Sequence, residues 1–249
     1  MKSKLAILFA ISGLLFAAAC KKKVETCKPG RVYVTDGTTT PNPTIYAFNG
    51  ERLSRVNYPN GDFDSLAYKN DTMWVFTFDN RDSLTTLLHA ITDGNGNVTT
   101  ATQTTYNYFG QPTGIDNINC TYNAEGNLTQ QTISNSTGTT IYTYNFNSGN
   151  RISGSKFVGA VKTETYSFFA GTVDNKGGIN DLTNLYTPYL GKPSYKLLDS
   201  AWTITNTDTI RIRYEHTLDA NDYVSKTVKT YLSPGFQTKY YTYSYFDCK

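Results

Sequence analysis

The sequence predicts an all-β fold: an antiparallel meander of about 14 strands forming a curved open sheet or a barrel, with one short helical loop. Three observations predict it. Tyr, Phe, Thr, Val and Ile alternate with polar residues at a period of two, the period of a strand that buries one face. Clusters of Asn, Asp and Gly punctuate these runs at short intervals and supply the positive φ angles of tight hairpins. Aromatic residues also recur with a spacing of 22: Tyr46 to Tyr68, Tyr122 to Tyr144, and Tyr144 to Tyr166. That spacing holds two strands of about eight or nine residues and two short turns, so one repeat is a hairpin plus its return.

The first element is not part of the sheet. Met1 to Ala19 carries Lys2 and Lys4 and then an apolar run from Leu5 to Ala19 broken only by Ser12 and Gly13, the form of a signal peptide. The run is roughly 15 residues, short of the roughly 20 needed for a membrane-spanning helix. Leu15, Phe16, Ala17, Ala18, Ala19 and Cys20 together resemble a bacterial lipobox. The resemblance implies cleavage before Cys20 and acylation of its thiol. At about 0.8 kcal/mol per buried methylene, two or three acyl chains would hold the protein to a membrane essentially permanently. Lys21 to Lys23 read as a solvated tether behind the lipid. The chain thus divides into a signal peptide over 1–19, a lipidated cysteine and tether over 20–30, and one β domain over 31–249. The expected place is the cell envelope, lipid-anchored, at the outer membrane.

Charge excludes one class of partner. The chain holds 23 Lys and Arg against 20 Asp and Glu, and loss of Lys2 and Lys4 leaves a net charge near about +1, without electrostatic support for nucleic acid. Three cysteines remain behind Cys20, and an exported compartment permits a disulfide. One must stay unpaired. Pairing of Cys27 with Cys248 is preferred because it pins both chain ends and leaves Cys120 beside a strand as a small buried residue; spacing alone does not decide it.

Within the domain, one unit recurs: aromatics at alternate positions, an Asn/Asp/Gly turn, then an aliphatic residue and a polar strand. Tyr46 to Leu53, Tyr122 to Leu128 and Tyr142 to Ile152 are three copies, and looser ones begin at Tyr106 and Tyr214. Tyr142, Tyr144 and Phe146 fall on one face, Thr143 and Asn145 on the other; Tyr241, Tyr243 and Tyr245 repeat the pattern. The stretch Cys120-Thr-Tyr-Asn-Ala-Glu-Gly-Asn-Leu-Thr-Gln, with Gly138-Thr-Thr-Ile-Tyr-Thr-Tyr-Asn after it, resembles the tyrosine-aspartate (YD, or Rhs-type) repeats, with Asn in place of the usual Asp. Lipobox, hairpins, Gly191-Lys-Pro-Ser-Tyr-Lys-Leu-Leu and the ending Tyr-Ser-Tyr-Phe-Asp-Cys-Lys are together similar to Bacteroidota lipoproteins of unknown function with a porin-like fold. This resemblance covers roughly 44–249 and implies a fold, with no chemistry to carry over.

Residues 179–198 break the rhythm. Asn180 is placed to cap a short helix through Asp181, Leu182, Leu185 and Tyr186, ended by Pro188 and Pro193, in a loop that covers one end or face of the sheet. A membrane-embedded barrel shares the alternating signature, but the outward Thr, Asn and Lys are too polar for a lipid face, and a lipid anchor makes a second attachment redundant.

Chemical motifs are sparse. His89 and His216 stand far apart without metal-ligand spacing, and the sequence contains no GxSxG elbow, P-loop or GxGxxG. Asp93-Gly-Asn95-Gly-Asn97 resembles the start of a calcium loop, but Val98 and Thr104 occupy the positions of its turn glycine and bidentate glutamate, which favours a hairpin turn. Asp62, Asp79, Glu125 and Asp219 lie in turns and single out no glycosidase pair. Five Asp-Ser/Thr-apolar triplets resemble the Bacteroidota O-glycosylation signal, with Ser65, Thr72, Ser83, Ser200 and Thr209 as acceptors; a turn feeding a strand explains them equally well. No catalytic residue, metal or cofactor is expected. The leading expectation is a non-enzymatic, membrane-tethered β scaffold that binds or assembles with a glycan or another envelope protein. A glycan-binding module using exposed tyrosines comes second, and a glycan hydrolase last.

Overall fold

In the computed structural model, the described residues are 27–35, 42–179 and 191–246. They form sixteen strands: β1 Lys28–Thr35, β2 Thr44–Asn49, β3 Arg52–Asn57, β4 Phe63–Lys69, β5 Thr72–Phe78, β6 Leu84–Thr92, β7 Val98–Tyr106, β8 Pro112–Tyr122, β9 Leu128–Asn135, β10 Gly138–Asn147, β11 Asn150–Val158, β12 Val161–Asp174, β13 Lys196–Thr205, β14 Thr209–Leu218, β15 Val224–Tyr231 and β16 Lys239–Phe246. Every strand pairs antiparallel with its neighbours in sequence, and β1 pairs with β16, which closes the sheet into a barrel. Closure satisfies the backbone groups that an open sheet leaves along two edges.

The predicted class holds, with closure settled and two strands more than expected. The undercount has a physical source. β7 and β9 carry Thr and Gln where other strands carry aromatic residues, so their alternation is weak in the sequence. The first strand also takes in Lys28 to Gly30, which the sequence division left with the tether. The helix expected over 180–186 lies outside the described residues.

The 22-residue spacing is the hairpin repeat. Tyr46, Tyr68, Tyr122, Tyr144 and Tyr166 fall on β2, β4, β8, β10 and β12, alternate strands that run the same way. Cross-strand register puts them all on the inner face: Tyr46 opposes Val56, Tyr68 opposes Met73, and Gly154 lies between Tyr144 and Tyr166. Tyr241 and Tyr243 are also buried inside, opposite Val34 and Val32.

One turn chemistry recurs. In residues 79–83, 93–97, 107–111, 123–127 and 219–223 the first backbone N–H bonds the fifth carbonyl, and the fourth N–H bonds the first carbonyl. The leading Asp or Asn also uses its Oδ1 to accept the N–H of the third and fifth residues. The fourth residue has positive φ in each, Gly at three positions and Asp82 and Asp222 at the other two. Asn and Asp tolerate this region because a short side chain can bond locally. Asp93 to Asn97 is therefore a hairpin turn, its carboxylate spent on Asn95, Asn97 and the Asn97 side-chain amide.

Candidate functional site

A sixteen-strand barrel is wide enough to enclose an aqueous channel. Here the bore is blocked. All sixteen strands contribute an inward residue at or below 9% exposure, among them Val32, Met73 and Ala90 at 0%, Leu53 at 2% and Val98 at 3%. Water that cannot touch these side chains cannot pass them, and residues outside the described set only add material. The blocked half is the end that carries Cys27, the β8–β9, β10–β11 and β14–β15 turns, and the link between β12 and β13.

That link closes the end by hydrogen bonding to the turns it crosses. Lys192 N–H donates to Gly126 O at 2.9 Å, and the fully buried Asn127 returns a bond from Nδ2 to Lys192 O at 3.2 Å. Arg151 N–H donates to Ser194 Oγ at 3.1 Å, and Lys196 N–H to Asn150 Oδ1 at 2.7 Å. On the other side Lys176 Nζ lies 3.3 Å from both Asn221 O and Asp222 Oδ2, and Ile179 joins the apolar core. Gly191 sits where a Cβ would come 2.7 Å from the Tyr122 ring, so only glycine allows this approach. Residues 175–179 and 191–195 thus supply the cover expected for one end of the sheet. Beneath it, the guanidinium of Arg151 lies 4.6, 5.4 and 5.7 Å from the ring centres of Tyr144, Phe146 and Phe168. A cation taken out of water is held there by three negative ring faces.

The opposite end is polar and open. Tyr142, Lys156, Glu164 and Thr205 occupy one cross-strand row on the inner wall of β10 to β13. Lys156 Nζ bonds Glu164 Oε1 at 2.7 Å, and Tyr166 donates its hydroxyl to Glu164 Oε2 at 2.7 Å. The Lys156 and Glu164 side chains keep 27% and 24% exposure, so solvent enters the mouth and stops at the apolar belt below. Lys156 and then Tyr166 hold the Glu164 carboxyl below its ordinary range, and the bond to Glu164 lifts the Lys156 ammonium above its own. Burial, then donation to Glu164, pushes the Tyr166 phenol well up. The other inward carboxylates of this half are likewise engaged: Asp116 accepts from Asn135 Nδ2 at 2.8 Å, and Asp64 from the Tyr58 hydroxyl at 2.6 Å. Such a mouth offers paired charge, amides and ring faces to a ligand.

The two histidines stand eight strands apart, on β6 and β14. His89 stacks against Trp74 outside, with ring centres 5.6 Å apart. His216 faces inward, donating from Nε2 to Leu198 O at 2.8 Å, with Nδ1 3.0 Å from Thr227 Oγ1. Burial lowers the His216 pKa, and with both nitrogens engaged the ring is fixed and neutral. Among the described residues no group of three or more His, Cys, Asp or Glu is placed to hold a metal ion.

The remaining predicted site residues scatter. Ser65, Thr72, Ser200 and Thr209 lie on the outward positions of β4, β5, β13 and β14, and Ser83 closes the β5–β6 turn with its N–H on Asp79 Oδ1. Cys27 is disulfide-bonded, and Cys120 is free and buried, its thiol pKa raised by that burial. Cys20 and Cys248 lie outside the described residues. The exposed tyrosine platform is not the arrangement found: Tyr46, Tyr144, Tyr214, Tyr223, Tyr241 and Tyr243 are buried. The mouth residues Lys156 and Glu164 were missed, although they stand symmetrically about the turn at Gly159 and Ala160, a spacing that marks a cross-strand pair.

Neither a family model nor a curated protein sequence matches the chain. Solved structures do. A porin-like protein from Bacteroides uniformis superposes with a TM-score of 0.64 at 15% identity, covering 87% of this chain and 96% of its own. A porin-like protein from Bacteroides vulgatus gives 0.63 at 8% identity, covering 89% and 99%. At these identities the likeness concerns the path of the backbone. The chain therefore has the fold of these porin-like proteins, a closed antiparallel barrel, with a belt of buried side chains across its bore.

Proposed function

We propose that the protein is a lipid-tethered, non-enzymatic barrel of the cell envelope that binds a carbohydrate in its open mouth. The observation that carries this reading is the asymmetry of the bore. One half is packed and covered, while the other presents Tyr142, Lys156, Glu164 and Tyr166 at partial exposure. Sugars are recognised by this mixture, because ring faces take the C–H surfaces while carboxylate, ammonium and amide groups take the hydroxyls. Glu164 is held ionised by two donors, which suits a hydrogen-bond acceptor and not a general acid. The anchor follows from the lipobox resemblance at Cys20, and both chain ends emerge at the covered end, leaving the mouth free.

The test is binding of the purified lipoprotein to a saccharide array, repeated with Glu164→Gln and Tyr142→Ala. Saturable binding lost in both variants, with unchanged melting, supports the reading. A protein that binds no saccharide overturns the carbohydrate assignment. Palmitate labelling of cells carrying the wild type and Cys20→Ala examines the anchor separately: an unlabelled wild type removes it.

A further inference from the structure

The outer wall of the barrel is not uniform. On β8 to β10 the outward positions carry Asn117, Asn119, Gln130, Thr132 and Asn145, and on β14 they carry Arg211, Arg213 and Glu215. On β4 to β6 the same parity carries Phe63, Trp74, Phe76, Phe78 and Leu87, which oppose one another across the strands. Phe63 and Phe78 stack at 4.8 Å, with the Arg55 guanidinium 3.7 Å from the Phe63 ring centre. The neighbouring β7–β8 turn extends the patch with Tyr108 and Phe109, 70% and 83% exposed, and Arg81 from the β5–β6 turn lies 5.8 Å from the Tyr108 ring. A soluble barrel gains nothing by holding a bare phenylalanine at a turn tip.

We infer that this wall is a membrane-seating face: β4 to β6 lie against the bilayer interface, with Phe109 inserted among the lipids. The inference rests on the tethered reading above. Seven residues separate Cys20 from Cys27 and span at most about 24 Å when fully extended, so a lipid on Cys20 keeps the barrel against its membrane. β5 lies four strands from β1, about 19 Å around the sheet at ordinary strand spacing, within that reach. Aromatic rings beside arginines suit the headgroup boundary, where an apolar body and a cationic tip are both accommodated. Seating on this wall leaves the mouth open to one side, accessible to a soluble ligand.

The two tryptophans allow a direct test, because Trp74 on β5 and Trp202 on β13 stand eight strands apart, half the circumference. Processed lipoprotein is reconstituted into vesicles containing phosphatidylcholine brominated on its acyl chains. Trp202→Phe leaves Trp74 as the only reporter, and Trp74→Phe leaves Trp202. The expected result is loss of Trp74 emission with a blue shift, Trp202 emission being retained. Phe109→Ser in the Trp202→Phe background reduces the Trp74 loss; its side chain is exposed, so folding is unaffected. Co-flotation with vesicles without quenching of Trp74, equal quenching of both, or quenching of Trp202 alone overturns the inference and leaves the anchor standing. A wild type that does not float removes the anchor, and this inference with it.

Discussion

Gly154→Ala perturbs the wall that carries the mouth. Gly154 lies on β11 facing inward between Tyr144 and Tyr166, and its φ is not in the left-handed region, so the argument is steric. An added Cβ would come 2.5 Å from Thr143 O, 2.8 Å from Tyr144 Cδ1 and 3.2 Å from Tyr166 Cδ2. The rings can rotate by a few tenths of an ångström, but the carbonyl belongs to the adjacent strand's ladder and cannot. Overpacking of this kind costs about 1–3 kcal/mol, and replacing glycine within a strand returns about 0.5–1 kcal/mol. The net loss is about 1–2 kcal/mol, which for a domain of this size lowers Tm by about 2–8 °C. Gly114→Ala is the control: also inward on β8, with nothing within 4 Å of the added carbon, it should be neutral or slightly stabilising. Urea denaturation of both variants, followed by near-ultraviolet circular dichroism, measures the difference. Equal midpoints would refute the placement of the two rings over Gly154. The double variant with Tyr166→Leu should lose less than the sum of the single ones, since the two substitutions compete for the same space.

Other predictions concern separate parts of the barrel. Burial holds His216 neutral, so its folded pKa lies below 6.5; its contribution is complete above that pH and is lost as the pH falls below it, where the unfolded chain takes the proton first. His216→Gln should therefore flatten the decline in urea midpoint between about pH 7 and about pH 5, and an unchanged slope would mean the ring is not buried as described. Asp93→Ala deprives two backbone N–H groups and the Asn97 amide of an acceptor; it should cost about 1–2 kcal/mol, while added calcium leaves the wild-type Tm unmoved. Cys120 should resist alkylation in the native protein and react on unfolding, as monitored by mass spectrometry. We further propose Cys248 as the partner of Cys27, because β1 pairs Lys28 with Phe246 at the same end of the barrel and lipid occupies the Cys20 thiol. Non-reducing peptide mapping that joined Cys27 to any other cysteine would reject it.

The repeat was legible because it is local. A tyrosine, an Asx turn and the returning strand lie within one window, and their side chains specify the hairpin without help from the rest of the chain. The number of strands was less legible, because β7 and β9 present Thr and Gln on both faces and depend on their neighbours for position. Closure was not legible at all. The pairing of Val32 with Tyr243 joins residues more than two hundred positions apart, and no local signal records it. The mouth lay between these cases. Lys156 and Glu164 are a local pair about one turn, yet their inward direction follows only from the register that puts Gly154 between Tyr144 and Tyr166.

Shared backbone path and shared function part company here through side-chain parity. A conducting barrel in a membrane requires apolar residues outside and solvated ones inside along the full bore. In this chain the outward Arg211, Arg213 and Glu215 on β14 are opposed to a lipid face, since an Arg or Lys at the bilayer midplane costs about 2–4 kcal/mol. Val32, Met73 and Ala90 inside are opposed to a water column, being wholly buried. Reversal of parity turns the same strand order from a pore into a vessel with one open end. The residues that then matter are few: those that line the mouth, and those on the one wall where Phe63, Trp74, Phe76 and Phe78 keep the apolar outside that the rest of the barrel has given up.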